Sequence, residues 1–341
     1  MRSGEIEEIT PSPQPAESES LSNKTESSVL FGQDISQETL LIAAKREKCP
    51  LEGQETTSMK ILTLENVSKH YPAFDLHDVS FSLEAGRIVG FIGRNGAGKT
   101  TTLKCIYNLV SPDGGSIKYL DKEIRETEAF AKSEIGLLFG GIEYYPNKRL
   151  GKMTKITSSF YPKWDQKLYE KYVKDFGLDE SKKIKELSNG MKVKYGLALA
   201  LSHGAKALLL DEPTSGLDPV SRDELMDIFL SIVADGEHAI LFSTHVISDL
   251  EKSADDIVYI KGGKVIANEK ISSFEKKYEM ILGDEEMLKG QDLSKLGYIR
   301  THGGKFEFVV PVKEKIAIEG ATKRQATLEE IMVFLERGEG K

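Results

Sequence analysis

The chain has 341 residues, 39% of them hydrophobic, with a formal net charge of −8. That length supports a full core and more than one subdomain, while the near-neutral mix of charges past residue 58 excludes a general nucleic-acid binder. Two cysteines, Cys49 and Cys105, make neither a disulfide framework nor a zinc site and suit a reducing compartment; no apolar run approaches the roughly 20 residues of a membrane span, no signal-peptide pattern is present, and a membrane role would need another chain.

Residues 1–58 hold eleven acids and five bases, so they carry −6 of the net charge. Their "TPSPQPAESESLSNKTESS" cannot offset its chain entropy and is expected to be disordered; "ETLLIAAKREK" (38–48) reads as a short helix. A folded pattern starts at Met59, which is expected to be the natural start. The segments 61–67 and 79–83 alternate like antiparallel strands, and 87–93 is a short buried strand. A helix is expected over 101–110, a turn at "SPDGGSI", and a buried strand over 134–139. Residues 144–200 read as helical, with interleaved charges and aromatics. Buried strands return at 205–213, 238–244 and 256–266; a smaller region follows, with strand-like 305–312 and a final helix at 327–338. This alternation predicts an α/β fold interrupted by a helical insert. The expected division is 1–58 as an extension, 59–270 as the main domain with its insert at about 144–200, and 271–341 as a small α+β appendix.

The stretch "FIGRNGAGKTT" follows a buried strand and opens a helix, and it fits G-x-x-x-x-G-K-[ST]. Gly93, Arg94, Asn95, Gly96, Ala97 and Gly98 form the loop, with glycines that let backbone N–H groups converge on an anion. Lys99 is placed to reach the β- and γ-phosphates, and the Thr100 hydroxyl to ligate Mg²⁺, with Thr101 beside it. "ALLLDEP" ends an apolar strand in Asp211, a Mg²⁺ holder, and Glu212, a candidate general base for the attacking water. In "ELSNGMKVKYGLALALS", Ser188 and Gly190 open a helix, either as an ordinary serine cap or as a second anion site.

Together these stretches resemble ATP-binding-cassette (ABC) ATPases over about residues 60–270. "LSNGM" is similar to the family signature LSGGQ and stands 23 residues before Asp211, counted from Ser188. "TSGLDP" resembles the D-loop, which implies that Asp218 lies at a dimer seam. His245 falls 33 residues after Glu212, in the slot of the family's switch histidine, and Tyr71 falls 28 residues before Lys99, where an aromatic stacks on adenine. The resemblance implies a P-loop cassette with a RecA-like core, an antiparallel β subdomain and a helical insert. It implies ATP and Mg²⁺ as ligands, and a homodimer or heterodimer of ATPase subunits that sandwiches two ATPs. It also implies an integral membrane permease as partner, no nucleic acid, and a cytoplasmic position on the inner face of the membrane. Among cassettes the chain is most similar to ATPases that export drugs or peptides; a soluble cassette acting on ribosomes or DNA is the alternative. One departure stands out: the slot of the family's metal-touching Gln is Gly140, and either Glu143 or water takes its place. A groove at 140–153, with Tyr144, Tyr145 and Trp164, is expected either to dock the permease or simply to pack the insert.

Overall fold

The computed structural model describes residues 59–140, 145–291 and 296–338. Expectations for residues 1–58, for Glu143 and for Tyr144 lie outside these. Strand β1 (Lys60–Tyr71) pairs antiparallel with β2 (Phe74–Glu84) and with β4 (Gly114–Tyr119), and β5 (Lys122–Glu123) completes a four-stranded sheet in the order β2-β1-β4-β5. Alternation drives it, since Leu62, Leu64, Phe81 and Leu83 are buried while Thr63, Glu65, Ser80 and Ser82 between and beside them are more exposed. Both long strands outrun their apolar stretches. Bulges at 64–67 allow this, with Asn66 at φ 51° and Asp78 at φ 46°, conformations that small polar side chains tolerate.

The central sheet has the order β10-β9-β3-β8-β7-β6. Strands β3 (Ile88–Ile92), β6 (Ile135–Phe139), β7 (Ala207–Asp211), β8 (Ala239–Thr244) and β9 (Asp256–Lys261) are parallel, and β10 (Lys264–Lys270) lies antiparallel at the edge. Strands β3, β7 and β8 are buried along their whole length, as continuous apolar runs between two covering layers require. The stretch 256–266, expected as one strand, is instead a hairpin. Gly262 and Gly263, at φ 54° and 77°, supply the two-residue turn. A Cβ on Gly263 would stand 1.8 Å from the Asp75 carbonyl, so this turn is also where the two sheets touch most closely.

Helix α1 (Lys99–Ile106) leaves β3; it starts two residues before its expected position and stops short of 110, because Asn108 turns the chain at φ 52°. Helix α2 (Glu128–Glu134) precedes β6. The insert holds three separate helices, α3 (Leu150–Ser158), α4 (Gln166–Asp175) and α5 (Asn189–Ser202), around an apolar cluster of its own that includes Leu150, Met153, Tyr169, Ile184, Tyr195 and Ala198. The buried Thr154 hydroxyl joins the Tyr169 and Tyr195 hydroxyls at 2.7 and 3.0 Å. Trp164, half-buried, packs against this cluster, its ring 5.3 Å from that of Tyr169.

After β7 and β8 come α6 (Pro219–Val233) and α7 (Ile247–Ser253), and α8 (Ile271–Glu275) follows β10. The last sheet is antiparallel, β12 (Ile299–His302), β13 (Lys305–Pro311), β11 (Tyr278–Asp284) and β14 (Thr322–Gln325) in that order, closed by α9 (Leu328–Arg337). A capping box, Thr327 with Glu330, starts α9. Met280, Val309, Ala326, Leu328 and Ile331 from this region share one apolar cluster with Leu250, Tyr259 and Ala267 of the central sheet and its helices. No helix among the described residues is long and apolar enough to cross a membrane.

Candidate functional site

The site forms at the carboxyl ends of β3, β7 and β8, where parallel strands leave a crevice. The loop from Gly93 to Gly98 joins β3 to α1, and no side chain caps α1. Its first N–H groups are thereby directed at a ligand, as anion sites at helix N-termini require. Glycine is needed at two points for sterics: a Cβ on Gly93 would lie 2.3 Å from the Ile260 carbonyl oxygen, and one on Gly98, at φ 115°, would lie 2.9 Å from the Phe74 ring.

Lys99 is 6% exposed, and its ammonium donates to the Gly93 carbonyl at 2.7 Å. It also stands 3.6 Å from Glu212 Oε1. The Thr100 hydroxyl donates to Asp211 Oδ2 at 2.7 Å. The other Asp211 oxygen accepts from the Ser243 hydroxyl at 2.6 Å, and that hydroxyl in turn accepts from the Glu212 N–H at 2.9 Å. Glu212 sits at φ 49°, a left-handed conformation that costs a non-glycine residue energy and is typical of functional positions. His245 Nδ1 lies 2.8 Å from Glu212 Oε2, while the buried Oε1 has no hydrogen-bond partner among the described residues.

Of these side chains, Lys99, Thr100 and Glu212 line a cavity of about 550 Å³ together with Tyr71, Phe74, Arg94 and Asn95, while Asp211, Ser243 and His245 stand behind them. Gly96, Gly98 and Thr101 also face it. Ala97 lies behind, 7% exposed, its N–H bonded to the Arg94 carbonyl at 3.0 Å. Tyr71 ends β1 at the rim, with the Lys69 ammonium 5.7 Å from its ring centroid. Two residues escaped the sequence reading. Phe74 carried no spacing signal, whereas Ser243 did: with Thr244 it is one of two hydroxyls that end a buried, otherwise apolar strand, "AILFST".

Ser188, Gly190 and Asp218 do not line this cavity and gather in a second cluster. Ser188 caps α5, its hydroxyl accepting from the Met191 N–H at 3.2 Å. Gly190 packs on Leu217 and Ser221, and the Asn189 amide nitrogen lies 3.1 Å from where a Gly216 Cβ would be. Asp218 caps α6, accepting from the Val220 and Ser221 N–H groups at 3.0 Å each and from the Ser221 hydroxyl at 2.7 Å. The Ser221 hydroxyl, followed by its N–H, holds the exposed Asp218 carboxyl below the usual carboxylate range.

Gly140 follows β6, and its N–H donates to the Asp211 carbonyl at 3.0 Å. It has φ 55°, and no described residue lies within 4 Å of where a Cβ would stand. The slot is therefore next to the acidic pair and uncrowded by the described residues. Beside it runs a groove, also of about 550 Å³, lined by Tyr107, Phe139, Gly140, Thr157, Tyr161 and His203 among others. His203 stacks on Tyr161 at 4.0 Å, and burial lowers its pKa. Tyr145 and Phe160 are 62% and 76% exposed nearby in sequence.

Comparison with known proteins agrees with this geometry. The family model described as ABC transporter matches residues 76–215. The chain is 31% identical over 188 residues to the ABC transporter ATP-binding protein YtrB of Bacillus subtilis, covering 54% of this chain and 63%, just under two thirds, of YtrB. It is 32% identical over 235 residues to the lantibiotic transport ATP-binding protein SrtF of Streptococcus pyogenes, covering 68% of this chain and 98% of SrtF. It is 31% identical to the phosphonates import ATP-binding protein PhnC of Treponema denticola, covering 60% of this chain and 88% of PhnC. A solved structure described as the ATP binding subunit of an ABC transporter superposes with a TM-score of 0.58 at 26% identity, covering 69% of this chain and 97% of that one. The chain belongs to the ABC transporter ATP-binding proteins: it is a P-loop ATPase cassette.

Proposed function

We propose that this cassette hydrolyses ATP as one of two paired ATPase subunits that drive an integral membrane permease from the inner face of the membrane, exporting drugs or amphipathic peptides. The observation that carries the reading is the interlock of Lys99, Thr100, Asp211, Glu212 and His245 around one cavity. A γ-phosphate at the loop draws the Lys99 ammonium off the Gly93 carbonyl. Glu212, oriented through Oε2 by His245, keeps Oε1 free to accept a proton from the attacking water. Tyr71 and Phe74 offer apolar ring surface for a base at the rim.

Mg²⁺ fits the donors present. Thr100 and Asp211 offer a hydroxyl and a carboxylate 2.7 Å apart, both hard oxygens. No cluster of three or more His, Cys, Asp or Glu side chains suited to a metal exists among the described residues. That is the pattern of an ion held by one carboxylate and by the substrate's phosphates. When bound, it neutralises charge on the β- and γ-phosphates.

Ser188, Gly190 and Asp218, outside the cavity of their own chain, are assigned to the ATP of the opposite subunit. The division proposed is a cassette at 59–270, with its insert at about 144–200, and an accessory region at 271–341. The groove beside Gly140 is the proposed permease contact. The likeness to SrtF, a lantibiotic transport ATP-binding protein, over nearly its whole length supports a peptide cargo, and the likeness to PhnC, an import protein, makes direction a matter for experiment. The Gly140 slot, filled by Glu143 or by water, favours pairing with a divergent sister subunit. The test is recovery of tagged Glu212→Gln chain from native membranes with ATP and Mg²⁺ in mild detergent. A polytopic membrane protein in stoichiometric amount is expected; ribosomal or DNA-repair partners without one would sink the transport reading.

A further inference from the structure

The accessory region reaches the phosphate loop. Arg94 lines the nucleotide cavity, and its Nε stands 4.0 Å from Glu336 Oε2, near the end of α9. The two side chains differ in freedom: that of Arg94 is 75% exposed, that of Glu336 only 15%. Glu336 is fixed from behind, because its Oε1 accepts from the Tyr259 hydroxyl at 2.6 Å. One residue earlier, the Leu335 carbonyl accepts from the Lys261 ammonium at 2.6 Å. Tyr259 and Lys261 both lie on β9, and Tyr259 is in register with Ile92, the residue before Gly93. Leu328 and Ile331, fully buried, seat the start of α9 in the central core. A carboxylate anchored from behind is thus held beside an exposed guanidinium of the phosphate loop. The C-terminal end of α9 adds the negative pole of the helix dipole on the same side.

We propose that Glu336 is a positioning residue for Arg94, through which the C-terminal accessory region sets the affinity of the loop for ATP. The Arg94 guanidinium has two anionic partners to choose between, Glu336 and the phosphates of a bound nucleotide. Pairing with Glu336 holds it toward α9 and lowers its share in nucleotide binding. This inference rests on the assignment of the cavity to ATP and does not depend on transport.

The test is the Kd of the full-length chain for the Mg²⁺ complex of AMP-PNP, a non-hydrolysable ATP analogue. Glu336→Gln keeps an amide oxygen for Tyr259 and removes the charge; it is expected to tighten binding about two- to fivefold at low salt, the range of an exposed ion pair. The gain disappears at about 0.5 M salt, where screening is short-ranged. In an Arg94→Ala background Glu336→Gln is expected to change nothing, since the partner is gone, and Glu336→Asp keeps the charge and stays near wild type. Tyr259→Phe, which frees the carboxylate from its anchor, shifts Kd in the same direction as Glu336→Gln. Unchanged or weakened binding in Glu336→Gln, or a shift that persists without Arg94, overturns the proposal. A wild-type chain that fails to bind the analogue overturns the cavity assignment itself, a failure distinct from equal binding by wild type and variants.

Discussion

Two helix starts in this protein are built by opposite means. Helix α1 opens on Gly98 with no side-chain cap, and the groups around it are interlocked within one chain: Lys99 on Gly93, Thr100 on Asp211, Asp211 on Ser243. Helix α5 opens on Ser188, which caps its own first turn and remains exposed. The first start needs only a nucleotide to be complete. The second has its local geometry satisfied and its outward face open, the arrangement expected of a surface that waits for the other half of its ligand. On the function proposed above, a single chain holds one finished half-site and one presented half-site.

That contrast can be broken at its strongest point first. Glu212→Gln is expected to lower kcat by about 10²- to 10⁴-fold, the range for loss of a general base, while Mg²⁺–ATP still binds. A variant that turns over at the wild-type rate refutes the assignment of Glu212. Ser188→Arg should act on the presented half alone: turnover falls by about 10²-fold, as on losing a donor to a developing anion, and ATP-dependent pairing in size-exclusion chromatography is lost. Its single-chain nucleotide Kd stays put; if pairing survives, the two-half account is wrong. Ser243→Ala sharpens the other side. It leaves an Asp211 oxygen and the Glu212 N–H without their hydroxyl, at an expected cost of about 1–3 kcal/mol in urea unfolding, larger than the same change at the exposed Ser188 cap, about 1 kcal/mol. Equal losses at both serines would erase the distinction between an interlocked and a presented start.

Much of the interlocked half was legible in the sequence, because its chemistry is written in short contiguous spacings. The loop 93–101, the acid pair 211–212 and His245 are each set by one strand end, and parallel pairing of β3, β7 and β8 brings those ends together. What escaped depends on contacts between distant segments. Phe74 reaches the cavity only because β2 folds back on β1, and the edge hairpin at 262–263 has an apolar pattern that one longer strand would share. Trp164 could be read either as a docking ring or as packing for the insert, and its contact with Tyr169 appears only in the folded insert. Glu336 is silent in the sequence: nothing near it hints that its partner lies more than two hundred residues earlier.

The apolar cluster shared by the central sheet and the accessory region has a consequence for how the gene can fail. A premature stop after residue 270 would remove Met280, Val309, Ala326, Leu328 and Ile331 together, and uncover the faces of Leu250 and Tyr259, which are fully buried in the whole chain. The product would retain every nucleotide motif and still display a sticky apolar face of the kind that chaperones and proteases recognise. Loss-of-function alleles are therefore expected among the residues of 271–338 that build this cluster, none of which lines the nucleotide cavity.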